Sequence, residues 1–391
     1  MSLRTALGAA RTTPMSVYKF FSAASVIFLL AVVISCNSSG DHHQIGGNQS
    51  AYITLPSRGS VLLLQIDTSN GMVKAADETP QVPGTSPHGL ALLPSKKFLY
   101  VANSQANTIS IFSVGSNGTL SLTGTPINAG SGPAAAIIDP SGRYLLVTNS
   151  FSNDISVFSI DSSSGALTEV SGSPFFANNN PSEMLFVSTG NFLYVTNPSN
   201  GLVTAFTFDS ASGALHQLST SPYAADSGAS ALAIDGSQKF LYVANTTAVN
   251  PGQVNHGNIS AFNIDAATGA ITPVTGSPFT SKVGDGPATI SVTPDNRFLF
   301  ATTAGSSYSI WCFTIDATSG QLTATSGSPF SQSAGDLFSL IDTNGNYFYI
   351  GSQSSKGISG YTYDPNTGTP KAISGSPFST GVAPGKMILV R

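Results

Sequence analysis

Charge is scarce in this chain: Asp, Glu, Lys and Arg make up only 9% of its 391 residues, and the net charge is −4. With no long basic run there is no electrostatic footprint for nucleic acid, so that partner is set aside. Helix-forming Glu, Lys and Arg are too few for a helical protein, while a hydrophobic content of 41% is too high for disorder. Cysteine is almost missing as well. Cys36 and Cys312 are the two present, and once Cys36 is assigned to a processed leader the rest of the chain has no internal disulfide, so its core must stand alone. No G-x-S-x-G elbow, H-E-x-x-H pair or phosphate-cradling glycine loop occurs. What is abundant is Gly (39), Pro (23), Ser, Thr and Asn, the composition of an all-β chain rich in turns.

The N-terminus stands outside that fold. Arg4, Arg11 and Lys19 precede the apolar stretch "FFSAASVIFLLAVVI" (20–34), followed by "SCNSSG", the layout of a secretory signal. "VISC", Val33 to Cys36, resembles the bacterial lipobox, which implies lipidation of Cys36 and a leader covering 1–36. An ordinary signal peptide or an uncleaved anchor is the alternative, and Met15 is a second possible start. Residues 37–50, polar and glycine-rich, read as a flexible tether; three adjacent residues there, Asp41, His42 and His43, make no preorganised metal site. The expected location is the bacterial cell envelope, with the membrane as a partner through a lipid anchor only.

From residue 51 onward the chain repeats. "KFLYVAN" stands at 97–103 and 239–245, "RYLLVTN" at 143–149 and "NFLYVTN" at 191–197. Their last residues, Asn103, Asn149, Asn197 and Asn245, are joined by Leu55, Thr303 and Ser352, and successive steps are 48, 46, 48, 48, 58 and 49. Seven markers mean seven units. Each unit opens with a strand such as "PAAAIID" (133–139), then a Pro/Gly or Pro/Asn turn, the "FLYVAN" strand, a polar loop, a third strand such as "DISVFSI" (154–160), and a hairpin into a fourth strand ending in "SGSPF". In "ISVFSI", Ile155 and Val157 point one way while Phe158 and Ile160 point the other, so both faces must be buried. Four antiparallel strands buried on both faces and repeated seven times predict a seven-bladed β-propeller over 51–391. The first unit starts at its second strand and the chain ends in "PGKMILV", so the C-terminal strand is expected to complete the first blade.

Several residues invite chemistry and are read structurally first. Asp161, Asp209, Asp265 and Asp316 in D-x-x-x-G hairpins lack the further oxygens a calcium ion needs and are expected to cap turns. Cys312 sits in a third-strand slot held elsewhere by Ile111, Val157, Ala205, Ala261 and Gly360, which makes it a small core residue; Trp311 is expected to pack in the core, with a sugar platform as the alternative. The recurrent asparagines begin the loop after the second strand, where a short amide bonds back to the turn. Asn103, Asn149, Asn197 and Asn245 are also candidate ligand contacts, together with His256 in the expanded loop 246–257 that accounts for the long step.

"YVTN" at 194–197, its "YVAN" variants and the following "NxISxFxID…SGAL…GSPF" resemble the YVTN and lactonase-type seven-bladed propellers, which include the propeller-type bacterial 6-phosphogluconolactonases. The resemblance implies a site at the channel mouth built from histidines and arginines at the starts of inner strands. One unit matches, "SPHGLALLP" with His88. In the other units the slot of His88 holds Ala134, Ser182, Ser230, Ala288, Leu337 and Gly385. The next slot holds Gly89, Ala135, Glu183, Ala231, Thr289, Phe338 and Lys386, with no arginine in either ring. His88, Glu183 and Lys386 would supply a base, a carboxylate partner and one cation for lactone hydrolysis. The bland alternative has His88 bonded locally and the other two solvated. The expectation is therefore a monomeric binding or scaffold module whose mouth takes a small molecule, carbohydrate or protein, without cofactor or metal; lactone hydrolysis through His88 is the runner-up.

Overall fold

The computed structural model describes residues 47–80, 85–246, 257–280, 286–303, 308–332 and 336–390. Seven antiparallel sheets follow one another as blades of a β-propeller. The inner strands of blades 2 to 7 are Pro87–Leu92, Pro133–Ile138, Met184–Phe186, Ala229–Ile234, Pro287–Val292 and Asp336–Ile341. Blade 1 takes its inner strand from the other end of the chain: Met387–Leu389 pairs with Asn48–Leu55 in the register Ala51 with Leu389 and Ile53 with Met387. The closure expected from the sequence is thus present. The strand at Asn48 also begins inside the stretch expected as a tether to residue 50, because Ser50 accepts a 3.0 Å bond from Gln65 and joins the sheet.

The sequence led us to expect a single fourth strand per blade; in blades 2 to 7 it is split. In blade 3, Leu167–Glu169 pairs with the second half of Asp154–Ile160, and after the Ser-Pro turn Phe175–Phe176 pairs with its first half. The serine of "GSPF" fills the gap between the two pieces by accepting the third-strand amide, as Ser173 does from Val157 at 3.0 Å. Strands of two and three residues are too short to show a period, so the break is invisible in the hydrophobic pattern.

Packing lies between blades. Ile155 and Val157 join the cluster shared with blade 4, and Phe158 joins the one shared with blade 2, in line with the opposed faces read from "ISVFSI". The tyrosine of "LYV" has its own role at these interfaces. Tyr52, Tyr100, Tyr194, Tyr242 and Tyr349 are buried, and each donates its hydroxyl to a glycine carbonyl in the next blade's hairpin: Gly118, Gly165, Gly269, Gly320 and Gly71, at 2.7 to 3.1 Å. Leu146 and Phe300 fill the slot in the two remaining blades. Burial pushes the Tyr52 phenol up to about 12. The hairpin aspartates act as turn caps: Asp161 accepts the amides of Ser163 and Ser164 at 2.9 Å. Cys312 is fully buried, its thiol pushed up to about 12, and Trp311 stacks on Phe313 at 6.0 Å, so both are core residues.

Candidate functional site

Each inner strand runs from the channel mouth downward, and in five blades its start carries a register shift against the second strand, as between Pro87 and Leu90. A bulge of this kind turns a strand and re-aims its side chains. The consequence is a ring: Gly89, Ala135, Glu183, Ala231, Thr289, Phe338 and Lys386, the seven residues of the slot after His88, all line one cavity of about 270 Å³ at the axis. Below them the wall is mostly apolar, with Leu90, Leu232, Ile290 and Met387 beside Ser339. Gly89 is obligatory, since a Cβ there would stand 2.7 Å from the amide nitrogen of Ala136.

Glu183 and Lys386 do not stay apart in solvent. Their side chains form an ion pair, each about 30% exposed, that reaches from blade 4 to blade 1 across the channel. A pair this exposed contributes about 0 to 1 kcal/mol, so its effect is on the charge of the mouth more than on stability. His88 stands above the ring and borders two grooves, one of about 510 Å³ towards blade 3 and one of about 210 Å³ towards blade 7. Its surface is open to solvent, yet the crowded mouth disfavours imidazolium: desolvation and then the Lys386 charge hold His88 below its ordinary value, against the smaller opposing pull of Glu183. Among the described residues its ring makes no hydrogen bond, so nothing fixes a tautomer. Its backbone is held by Thr54, whose hydroxyl reaches the carbonyls of both His88 and Lys386 at 3.4 Å and accepts the Lys386 amide at 2.9 Å.

The charges make a test. Lys386→Met should raise the His88 pKa and Glu183→Gln should lower it further, read from the imidazole proton shifts in a titration by NMR. Shifts that move in neither variant would place His88 outside the field of the pair.

Sequence comparison bears on the same chain. A model of the lactonase family, described as a 7-bladed beta-propeller, matches residues 37–180, 175–325 and 275–382. The chain belongs to the lactonase family of seven-bladed β-propellers. Among solved structures, this lactonase-family propeller is similar to a candidate 6-phosphogluconolactonase from Bacteroides uniformis, at 18% identity and a TM-score of 0.75 over 88% of this chain and 99% of that one. It is also similar to the periplasmic gluconolactonase of Pseudomonas aeruginosa, at 16% identity and a TM-score of 0.73 over 88% and 99%. At these identities the likeness is one of fold. A search of curated proteins gave no match.

Not every expected contact lies at the mouth surface. Asn103, Asn149, Asn197 and Asn245 are at most 2% exposed, and their amides are used inside the blade. Asn103 donates to Ser110 at 2.9 Å, Asn149 to Ser156 at 2.9 Å and Asn245 to Ser260 at 2.9 Å, while Asn197 donates to the Ala177 carbonyl at 2.7 Å and accepts from Thr204. This corrects the ligand-contact reading, because a buried amide with internal partners locks the loop. All four bond third-strand hydroxyls, where the turn backbone was expected. His256 and Cys36 lie outside the described residues. Two residues of the family propeller's mouth were overlooked in the sequence. Thr54 carried a signal, the Thr of "YVTN" that recurs at 148, 196 and 302; so did Phe151, a phenyl ring in a loop slot that holds Gln105, Ser199 and Ser354 in other blades.

Proposed function

We propose that this lactonase-family propeller is an exported, lipid-anchored binding module that takes an uncharged small molecule, a sugar or a sugar lactone, at the channel mouth. The observation that carries the reading is the neutrality of the ring: five of its seven positions hold uncharged residues, and Glu183 and Lys386 cancel each other. A phosphorylated ligand would need positive charge that the pair has already used. Export rests on the basic, apolar and "VISC" segments of the leader, and the periplasmic location in the name of the Pseudomonas aeruginosa relative agrees with it.

Hydrolysis of a neutral lactone is the second reading, favoured by an imidazole whose pKa is held below its ordinary value by desolvation and by the Lys386 charge. In that reaction His88 would take a proton from water as its oxygen attacks the lactone carbonyl, and Lys386 would face the oxyanion. Collapse of the tetrahedral adduct breaks the ring C–O bond, and His88 returns the proton to the leaving oxygen. A panel of neutral and phosphorylated lactones followed by acid release separates the readings. No turnover is expected above the His88→Ala background; turnover of a neutral lactone that falls about 10²-fold in His88→Ala would instead establish the hydrolase.

A further inference from the structure

The groove between blades 2 and 3 contains something the ring does not explain. Phe151 is 75% exposed, and Phe176 at the same end of blade 3 is 63% exposed. Elsewhere the slot of Phe151 holds Gly305 or a polar residue, and that of Phe176 holds Asn128, Ala224, Thr280, Ser331 and Ser379. Bulky rings left in water at one end of a single blade do nothing for that blade's core.

The Phe151 ring is also held in place. It lies against Gly132, where φ is +67° and an added Cβ would stand 2.7 Å from the ring, so the ring rests on the Gly132 backbone while most of its surface is open. The loop beneath it is tied by Phe151 to the Ser131 carbonyl at 3.0 Å, by Ser150 to the Gly132 carbonyl at 2.9 Å, and by Gly132 to the Asn107 side chain at 2.8 Å. Around the ring the groove of about 510 Å³ presents Gln105, Ser131 and His88. Among the described residues, neither the side-chain amide of Gln105 nor the His88 imidazole has a hydrogen-bond partner of its own, while the Gln105 backbone N–H donates to the Thr85 carbonyl at 3.3 Å. His88 also borders the second rim groove, which contains Lys386 of the ring, so groove and mouth are linked through these two residues.

We propose that this groove is a saccharide subsite: one pyranose ring stacks its C–H face on Phe151 while its hydroxyls meet Gln105, Ser131 and His88, and the next sugar sits at the mouth. The proposal rests on the mouth reading above and extends it from a single ring to an uncharged oligosaccharide, with Phe176 offering a further platform outward. A flat aromatic face flanked by amide and hydroxyl groups suits an uncharged polyhydroxylated ring. A protein partner would need roughly 800 Å² of matched surface per side, and an acidic ligand would find no cation in this groove.

The test uses the full chain and three probes, maltohexaose, cellohexaose and N-acetylchitohexaose, titrated by calorimetry beside glucose. At least one hexasaccharide should bind tighter than glucose, and Phe151→Ser should weaken it by about 10-fold, the scale of one lost aromatic contact. Phe176→Ser should cost less, and neither variant should alter the melting temperature, since both rings are exposed. Hexasaccharides that bind no better than glucose, or an affinity indifferent to Phe151→Ser, would overturn the subsite. Hexasaccharide binding that depends on Phe151 with no glucose binding at all would support the groove and remove the mouth reading on its own.

Discussion

A chain ending at Ala383 should aggregate or melt far below the full-length protein. The last eight residues supply the inner strand of blade 1, and without it Asn48–Leu55 keeps an unpaired edge facing the channel. Met387 and Leu389 are each 7% exposed, and Ile388 and Val390 pack partly buried against the interface of blades 1 and 2. At about 1 to 2 kcal/mol per side chain their burial contributes roughly 4 to 8 kcal/mol, comparable with the whole stability of a domain. Backbone bonds add to this: Thr54 to Lys386 at 3.0 Å, Gly385 to Thr54 at 2.7 Å and Val390 to Ser50 at 2.9 Å. The deletion also removes the cation of the mouth. Thermal unfolding of the truncated and full chains side by side checks the closure, and equal melting temperatures would contradict it.

Tyr194→Ala should destabilise the protein by about 3 to 5 kcal/mol, while Tyr194→Phe should cost only about 1. The ring of Tyr194 is fully buried between blades 4 and 5, and its hydroxyl donates to the Gly269 carbonyl at 2.9 Å. Truncation opens a cavity at the interface; loss of the hydroxyl alone leaves one carbonyl unpaired. Denaturant titration of both variants tests the split. A Phe variant as unstable as the Ala variant would mean that the hydrogen bond carries the interface, contrary to the packing seen here.

The blades were legible because their strands repeat at nearly constant steps, and the ring was legible because the slot after His88 could be followed through every unit. Lys386 and Glu183 were both named from that slot, yet their contact was not foreseeable. Lys386 stands on blade 1 and Glu183 on blade 4, and only closure by Met387–Leu389 brings those blades around one axis. The interior role of Asn149 was half legible: its loop position suggested a lock, but the partner, Ser156, lies on the third strand and is reached only once strands two and three are in register. Phe151 escaped notice for a different reason. Repeat reasoning rewards what recurs, and Phe151 matters through failing to match its counterparts.

The charge of the mouth is most directly tested by titrating glucose and glucose 6-phosphate into the full chain at low and moderate salt. With Glu183 and Lys386 paired, glucose should bind with an affinity insensitive to salt, and the phosphate should bind no better than glucose at either ionic strength. Tighter binding of glucose 6-phosphate that weakens as salt rises would show an uncompensated positive mouth and contradict the neutral ring.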